Sequence, residues 1–170
     1  GKSIALLEHG DPTIFGGWQH WIEPEVNGRF EVVTGISAFN AANALFANRK
    51  VFTGISAFGT GDNNNLVCNH GNAIISAPQS LADNEKVLHA IAESGDTLAI
   101  FMGLKEIESL LPLLKKYYPE TTPAAIAYKA GYAQESHLVK TTIGELRKAV
   151  EANKERIMGM IYVGNCLGGK

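Results

Sequence analysis

The residues best suited to bind a ligand lie in a short turn near the start of the sequence. The turn Gly10-Asp11-Pro12 follows the apolar run of residues 4–7 and precedes the glycine pair Gly16-Gly17. Glycines let a backbone approach a ligand closely, and Asp11 supplies one carboxylate beside them. Open α/β sheets bind ligands in loops that leave the carboxyl ends of their strands. An isolated Gly-Asp-Pro is more often an ordinary strand-to-loop turn, so this motif alone is weak.

Similar loops follow three other predicted strands, and this recurrence carries more weight than any one loop. They are Gly35-Ile36-Ser37, Met102-Gly103 and Ala130-Gly131. The first of the three opens an alanine-rich helix, whose amino-terminal N–H groups and Ser37 hydroxyl would face whatever lies above the sheet. The sequence therefore predicts several ligand-tolerant loops at one edge of a sheet.

Other common chemistries lack their motifs in this sequence. It contains no GxGxxG and no phosphate loop with its lysine, so nucleotide phosphate binding of the usual kinds is not supported. Ser37 lies outside a Gly-x-Ser-x-Gly context, so a nucleophilic triad has no specific support. Cys68 and His70 could offer two metal ligands, but the histidine spacings are not those of a metal site. No metal site is predicted, and no catalytic residue is identified.

Composition is that of an ordinary globular chain. Hydrophobic residues make up 45% and charged residues 19% of the 170 residues, which indicates neither disorder nor a membrane span. The net charge of -2 gives no electrostatic reason to expect nucleic acid or an anionic membrane as a partner. The wide spacing of Cys68 and Cys166 argues against a disulfide framework and a zinc site and fits a reducing cytoplasm.

Hydrophobic periodicity predicts alternating strands and helices, and therefore a mostly parallel α/β sheet with some antiparallel pairing near the end. Strands are predicted at 4–7, 30–33, 73–78, 98–103, 124–128, 137–141 and 158–164. Helices are predicted from Gly17 to before Pro24, at 40–46 and 80–93, from Ile107 to Tyr118, and at 143–152. The hexamer TGISAF recurs at 53–58 as a chance or local duplication, and the polar tract 62–65 is interpreted as a linker or a mobile loop.

Six segments of the sequence, taken together and in order, resemble a known family. They are HGDPTIFG, VVTGISAFNAANAL, NAIISAP, LAIFMGL, TTPAAIAYKAGYAQE and MGMIYVG. The family is the tetrapyrrole (corrin/porphyrin) methylases, the S-adenosylmethionine-dependent enzymes of cobalamin and sirohaem synthesis. The first segment and the tryptophan-containing helix after it resemble the precorrin-4 type more than the sirohaem type. The family's first strand and its GPG loop are absent, so the chain looks like the family without its amino-terminal part.

The resemblance implies a two-domain α/β fold of mixed, mostly parallel sheets flanked by helices, with the cofactor in a cleft and usually a homodimer. Residues 1–68 would be the remainder of the truncated first domain, with the GDP loop, and 69–170 the second domain. S-adenosylmethionine would be the cofactor and a tetrapyrrole the small-molecule substrate. The implied cofactor-binding residues are His9, Gly10, Asp11, Ile14, Ser37, Ala38, Met102, Ala130 and Gly159.

The implied reaction is transfer of a methyl group from the sulfonium to a nucleophilic carbon of the tetrapyrrole. In such a reaction the protein mainly aligns donor and acceptor and needs no covalent nucleophile. Thr34 stands where the family usually has proline, a change expected to affect loop stiffness more than chemistry. Two alternatives stay open: a non-catalytic binding or interaction domain that keeps this architecture, and a relative that methylates a protein or RNA.

Overall fold

A computed structural model describes residues 4–17, 19–26, 29–48 and 73–168 of the chain. Within these ranges the chain forms six α-helices, five β-strands and one short 3-10 turn, Asn165–Gly168. The helices are α1 (Gln19–Val26), α2 (Ala38–Asn48), α3 (Pro78–Asp83), α4 (Glu85–Ser94), α5 (Ile107–Tyr117) and α6 (Leu146–Glu151). The strands are β1 (Ala73–Ser76), β2 (Thr97–Ile100), β3 (Pro123–Tyr128), β4 (His137–Thr142) and β5 (Gly159–Val163).

The five strands form one mixed sheet in the order β1-β2-β5-β3-β4. Among the described strands, only β1 and β2 pair in parallel, whereas β5 is antiparallel to both of its neighbours and β4 is antiparallel to β3. The α/β class with flanking helices is confirmed, and the described sheet is more antiparallel than periodicity predicts. Because β5 separates β2 from β3 and opposes both, the carboxyl ends of β2 and β3 lie at the same edge of the sheet.

One face of the sheet carries the larger core, in which large aliphatic side chains of α3 to α6 meet the strands. The alternation along β3 explains which side chains reach it, because successive strand residues point to opposite faces. Ile126 and Tyr128 belong to this core, and neither is exposed. Four helices thus cover this face of the sheet.

The opposite face of the sheet is lined by small residues, and α2 packs on it. Ala99, Ala125 and Ala127 form a smaller core with Phe46 of α2 and Tyr162 of β5. Alanines on the sheet let the helix approach closely, and the rings of Phe46 and Tyr162 meet edge to face with centroids 4.8 Å apart. Nearer the amino end of α2, the rings of Phe39 and Tyr162 stack with centroids 6.4 Å apart, so this end of the helix also lies over the sheet.

The two apolar runs predicted as the first strands are not strands in the structure. Residues 4–7 and 30–33 have no regular secondary structure. Ile4 is 93% exposed, Leu7 91% and Val33 76%. A buried strand needs neighbouring strands and a layer over each face, and the described residues provide neither for these runs. Both strand predictions are therefore wrong for the described structure.

Other differences concern where elements end. The predicted helix 80–93 is two helices, α3 and α4, because Asn84 leaves the helical conformation with φ -136° and ψ 66°. The helix predicted to stop before Pro24 continues to Val26. The strand predicted to reach Gly103 ends at Ile100, since the backbone of Met102 is left-handed.

Several predictions fall on residues 27–28, 49–72 or 169–170, outside the described residues. They include the second TGISAF copy, the polar tract 62–65, Cys68 and the boundary between residues 68 and 69. Cys166 is buried and disulfide-bonded, although the cysteine spacing in the sequence argues against a disulfide framework. No helix in the described ranges has the length and apolar character needed to cross a membrane.

Candidate functional site

The loop of residues 9–17 is organised by the side chain of Asp11. Its Oδ1 accepts hydrogen bonds from the Thr13 backbone N–H at 2.8 Å and from Thr13 Oγ1 at 2.5 Å. These bonds, the one from the hydroxyl above all, hold the pKa of Asp11 below its ordinary value. The backbone closes the turn with a bond from the Ile14 N–H to the Asp11 carbonyl at 3.1 Å. Asp11 is therefore a carboxylate at neutral pH, in a turn that it stabilises itself.

The residues before α2 lie directly against this loop. A Cβ atom on Gly35 would overlap the carbonyl oxygen of Gly10, so only glycine allows the two backbones to come so close. Gly10 itself has φ +76°, and a Cβ atom there would lie 3.8 Å from the Ala38 nitrogen. The structure thus brings Gly10 together with Ser37 and Ala38, as the loop predictions require.

Ser37 has a structural role at the start of α2. It is buried, with 2% of its surface exposed, and its hydroxyl oxygen accepts the backbone N–H of Phe39 at 3.2 Å. A serine that precedes a helix and accepts a bond from its second residue is an N-cap. The Ser37 hydroxyl therefore caps α2, whereas the sequence predicts that it faces a ligand.

The carboxyl ends of β2 and β3 provide the other side of the site. After β2, Met102 has φ +60° and is 50% exposed. After β3, Lys129 has φ +46°, Ala130 is half-buried and Gly131 has φ +92°. Left-handed backbone is unfavourable for residues other than glycine and tends to occur at functional sites.

Contacts between rings and small side chains join the two sides. The rings of Phe15 and Phe101 lie 5.0 Å apart between centroids. A Cβ atom on Gly131 would lie 3.8 Å from the Ala41 Cβ in α2. Ala38 and Ala130 both pack against the smaller core. The GDP loop, the amino end of α2 and the ends of β2 and β3 therefore surround one region.

Three predicted residues stand apart from these contacts. His9 and Ile14 are exposed on the loop, without a described contact to the sheet edge. Gly159 lies at the correct edge, since it pairs with Tyr128. A Cβ atom on it would meet Leu104 Cδ1 at 2.5 Å on the larger core, so packing already explains this glycine.

Sequence reasoning missed Phe15, Phe101 and Lys129 as parts of the site. Phe15 and Lys129, like Met102, have positive φ, and these three are the non-glycine residues with that conformation among those described. Phe15, Met102 and Lys129 each lie within two residues of a glycine in the sequence. These glycines are the sequence feature that could have pointed to the site. In the described ranges, no group of three or more histidine, cysteine, aspartate or glutamate side chains could hold a metal ion.

Comparison with known proteins identifies the family. Residues 1–147 match the family model of the Tetrapyrrole (Corrin/Porphyrin) Methylases. The chain therefore belongs to this family, as the six segments indicate.

Curated relatives include enzymes that act on two kinds of tetrapyrrole precursor. The chain is 26% identical over 176 residues to the cobalt-precorrin-4 C(11)-methyltransferase of Methanocaldococcus jannaschii, a match that covers 100% of this chain and 62% of the relative. It is 25% identical to the precorrin-4 C(11)-methyltransferase of Pseudomonas aeruginosa, covering 100% of this chain and 64% of the relative. It is 26% identical to the uroporphyrinogen-III C-methyltransferase of M. jannaschii, covering 96% and 64%. The chain thus spans less than two thirds of the length of these relatives.

Solved structures support the same fold. A cobalt precorrin-4 methyltransferase of cobalamin biosynthesis matches with a TM-score of 0.66 and 22% identity, over 93% of this chain and 62% of that one. The uroporphyrin-III C-methyltransferase of Thermus thermophilus, solved with S-adenosyl homocysteine, matches with a TM-score of 0.60 and 17% identity, over 94% and 64%. The chain has the fold of this part of such enzymes.

Proposed function

We propose that this chain is part of an S-adenosylmethionine-dependent methyltransferase that methylates a carbon of a tetrapyrrole precursor in cobalamin-type biosynthesis. Family membership and the printed activities of the relatives support this proposal. The observation that carries it is the convergence of the Gly10-Asp11 loop, the amino end of α2 and the ends of β2 and β3 on one region. A precorrin-4-type substrate is favoured because two of the cited relatives act on precorrin-4 or its cobalt form.

The residues of this region fit such a cofactor. Gly10 and Gly131 leave backbone uncovered at left-handed positions, where a ligand can approach closely. The exposed parts of Ile14, Phe15 and Met102 offer apolar surface to a flat base. When bound, the cofactor supplies a methyl group on a positively charged sulfonium. The protein would contribute alignment of donor and acceptor.

Within this proposal the cofactor contacts come from both sides of the region. His9, Gly10, Asp11 and Ile14 act from the GDP loop, and Ser37 with Ala38 from the start of α2. Met102, Ala130 and Gly159 act from the sheet edge. The Asp11 carboxylate, ionised because its pKa is lowered, supplies negative charge near a cationic cofactor.

The same proposal includes a homodimer and a cytoplasmic location. Among the described residues between 4 and 36, ten large apolar side chains are exposed, which gives a second copy a surface to cover. The cytoplasmic location rests on the cysteine spacing of the sequence, and the disulfide at Cys166 gives it no support. The net charge of -2 favours neither nucleic acid nor an anionic membrane as partner.

Calorimetric titration of S-adenosylhomocysteine into the 170-residue chain tests the proposal. We expect saturable binding that Asp11→Ala weakens while the chain stays folded with only a small fall in its thermal unfolding midpoint, because Asp11 lies in a loop outside the core. Asp83→Ala is the matched control, since Asp83 is an exposed aspartate on α3 whose described bond is to Gln79. A version extended at its amino terminus is titrated in parallel. Binding by the longer chain alone would mean that this chain holds an incomplete half-site, and failure of both would favour the non-catalytic interaction domain.

A further inference from the structure

A closed ring of hydrogen bonds and one ion pair lies beside the predicted cofactor loop. The six residues of the ring are Lys129, Glu135, His137, Asn153, Glu155 and Met158, and we call them the loop network. It joins the end of β3 to the start of β4 and to the segment that leads into β5. Five of the six, with Lys154, line an open groove at this edge of the sheet.

The first half of the ring runs through side chains. The Lys129 ammonium pairs with the Glu135 carboxylate, which raises the pKa of the lysine. The Glu135 carbonyl oxygen lies 2.9 Å from Nδ1 of His137. The imidazole stacks on the Tyr128 ring, with centroids 5.0 Å apart, and its Nε2 lies 3.0 Å from Nδ2 of Asn153.

The second half of the ring returns to the backbone of Lys129. Asn153 Oδ1 accepts the Glu155 backbone N–H at 2.9 Å. The Glu155 carboxylate accepts the Met158 N–H at 2.9 Å, and that of Ile157 at 2.7 Å. Finally, the Lys129 N–H donates to the Met158 carbonyl at 2.8 Å. The ring therefore acts on the left-handed residue that directly precedes Ala130.

The donors and acceptors of this ring fix the protonation of His137. A backbone N–H can only donate, so the Asn153 oxygen must face Glu155 and its amide nitrogen must face His137. A carbonyl can only accept, so His137 Nδ1 carries a proton toward Glu135. Nε2 must then accept from Asn153, which a protonated imidazole cannot do.

We propose that the loop network positions Ala130 and Gly131 for the cofactor and closes only while His137 is neutral. The inference rests on the proposed function, because it assigns these residues to the cofactor site. Lys129, Glu135, Lys154 and Glu155 are the charged groups that share the groove with His137. Arg156 lies nearby, where its guanidinium donates to the Val150 and Asn153 carbonyls. His137 and Asn153 are positioning residues, since they act through Lys129.

The substitution Asn153→Asp tests the inference, because it should change how S-adenosylhomocysteine affinity depends on pH. A carboxylate at position 153 can still accept the Glu155 N–H, and its other oxygen can accept a proton from a charged imidazole. In the unmodified chain we expect affinity for S-adenosylhomocysteine to fall roughly five- to tenfold from pH 7.5 to 5.5, as one link of the ring is lost. In Asn153→Asp we expect a smaller fall or a gain. All other side chains are the same in the two proteins, so the comparison isolates position 153.

Asn84→Asp is the matched control, since Asn84 is exposed between α3 and α4. It should keep the pH dependence of the unmodified chain. Equal pH dependence in Asn153→Asp and the unmodified chain would overturn the inference while leaving the cofactor proposal standing.

Amide hydrogen exchange gives a second readout that needs no cofactor. The Lys129 N–H should exchange faster at pH 5.5 than at pH 7.5 after correction for intrinsic rates, and Asn153→Asp should remove that difference. Unchanged protection of this amide overturns the inference. A response of the amide in a chain that does not bind S-adenosylhomocysteine even when extended at its amino terminus overturns the proposed function, and with it the positioning role.

Discussion

The backbone of Gly35 lies so close to that of Gly10 that a Cβ atom on Gly35 would stand 3.0 Å from the Gly10 carbonyl carbon and closer still to its oxygen. Gly35→Ala must therefore push the GDP loop away from α2. We expect overpacking to destabilise this contact by about 1–3 kcal/mol and to weaken S-adenosylhomocysteine binding measured by calorimetry.

Gly17→Ala is the control for that substitution. Apart from its chain neighbours, no atom of the described residues lies within 4 Å of the position of its Cβ, so alanine should be tolerated there with unchanged affinity. If Gly35→Ala binds as well as Gly17→Ala, the close approach of the two loops has no part in binding.

A second prediction concerns the titration of Asp11. Thr13→Val removes the hydroxyl that donates to Asp11 Oδ1, so the pKa of Asp11 should rise toward its ordinary value. Because a lowered pKa means that the folded loop favours the carboxylate, its stabilising effect is full above the unfolded value and is lost as pH falls through the folded one. An NMR titration of the Asp11 carboxyl measures this change. Thr121→Val, at an exposed site beyond α5, should leave the titration unaltered.

The sequence predicts elements well where neighbours along the chain decide them. The stripe of Ile107, Leu110, Leu111 and Leu114 predicts α5, and all four side chains are buried as expected. It fails for residues 4–7, whose apolar run has the composition of a strand but lacks a partner among the described residues. A hydrophobic pattern indicates only that a segment can be buried. Whether the segment pairs as a strand depends on which other strands lie beside it in the fold.

In the candidate site too, some features follow from the local sequence and others depend on the fold. Glycine-containing turns predict which loops tolerate a ligand, and the structure places Gly10 beside Ala38 and Gly131 beside Ala41 of the same helix. The loop network was not predictable, because its six residues come from two loops and a strand with no shared motif. Only the antiparallel pairing of β3 with β4 and β5 brings them into one ring.

A third prediction tests how α2 is held on the sheet. Phe46 is 1% exposed and contacts Tyr162, so Phe46→Ala should cost about 3–5 kcal/mol of unfolding free energy measured in urea. Val87→Ala is the exposed control, at 45% exposure, and should change stability by less than about 0.5 kcal/mol. Equal costs would mean that α2 is not docked through Phe46.

The last prediction uses the left-handed backbone of Lys129. Lys129 has φ +46°, a backbone conformation that is strained for alanine but not for glycine. Both Lys129→Gly and Lys129→Ala remove the ion pair with Glu135, so they differ only in this backbone strain. Lys129→Gly should therefore be more stable than Lys129→Ala by about 1 kcal/mol in urea denaturation. At Lys86, an exposed residue inside α4, the order should reverse, because glycine is about 1 kcal/mol worse than alanine in a helix. If alanine is the more stable residue at both positions, the loop before Ala130 is not held in the left-handed conformation, and the loop network loses its role in positioning it.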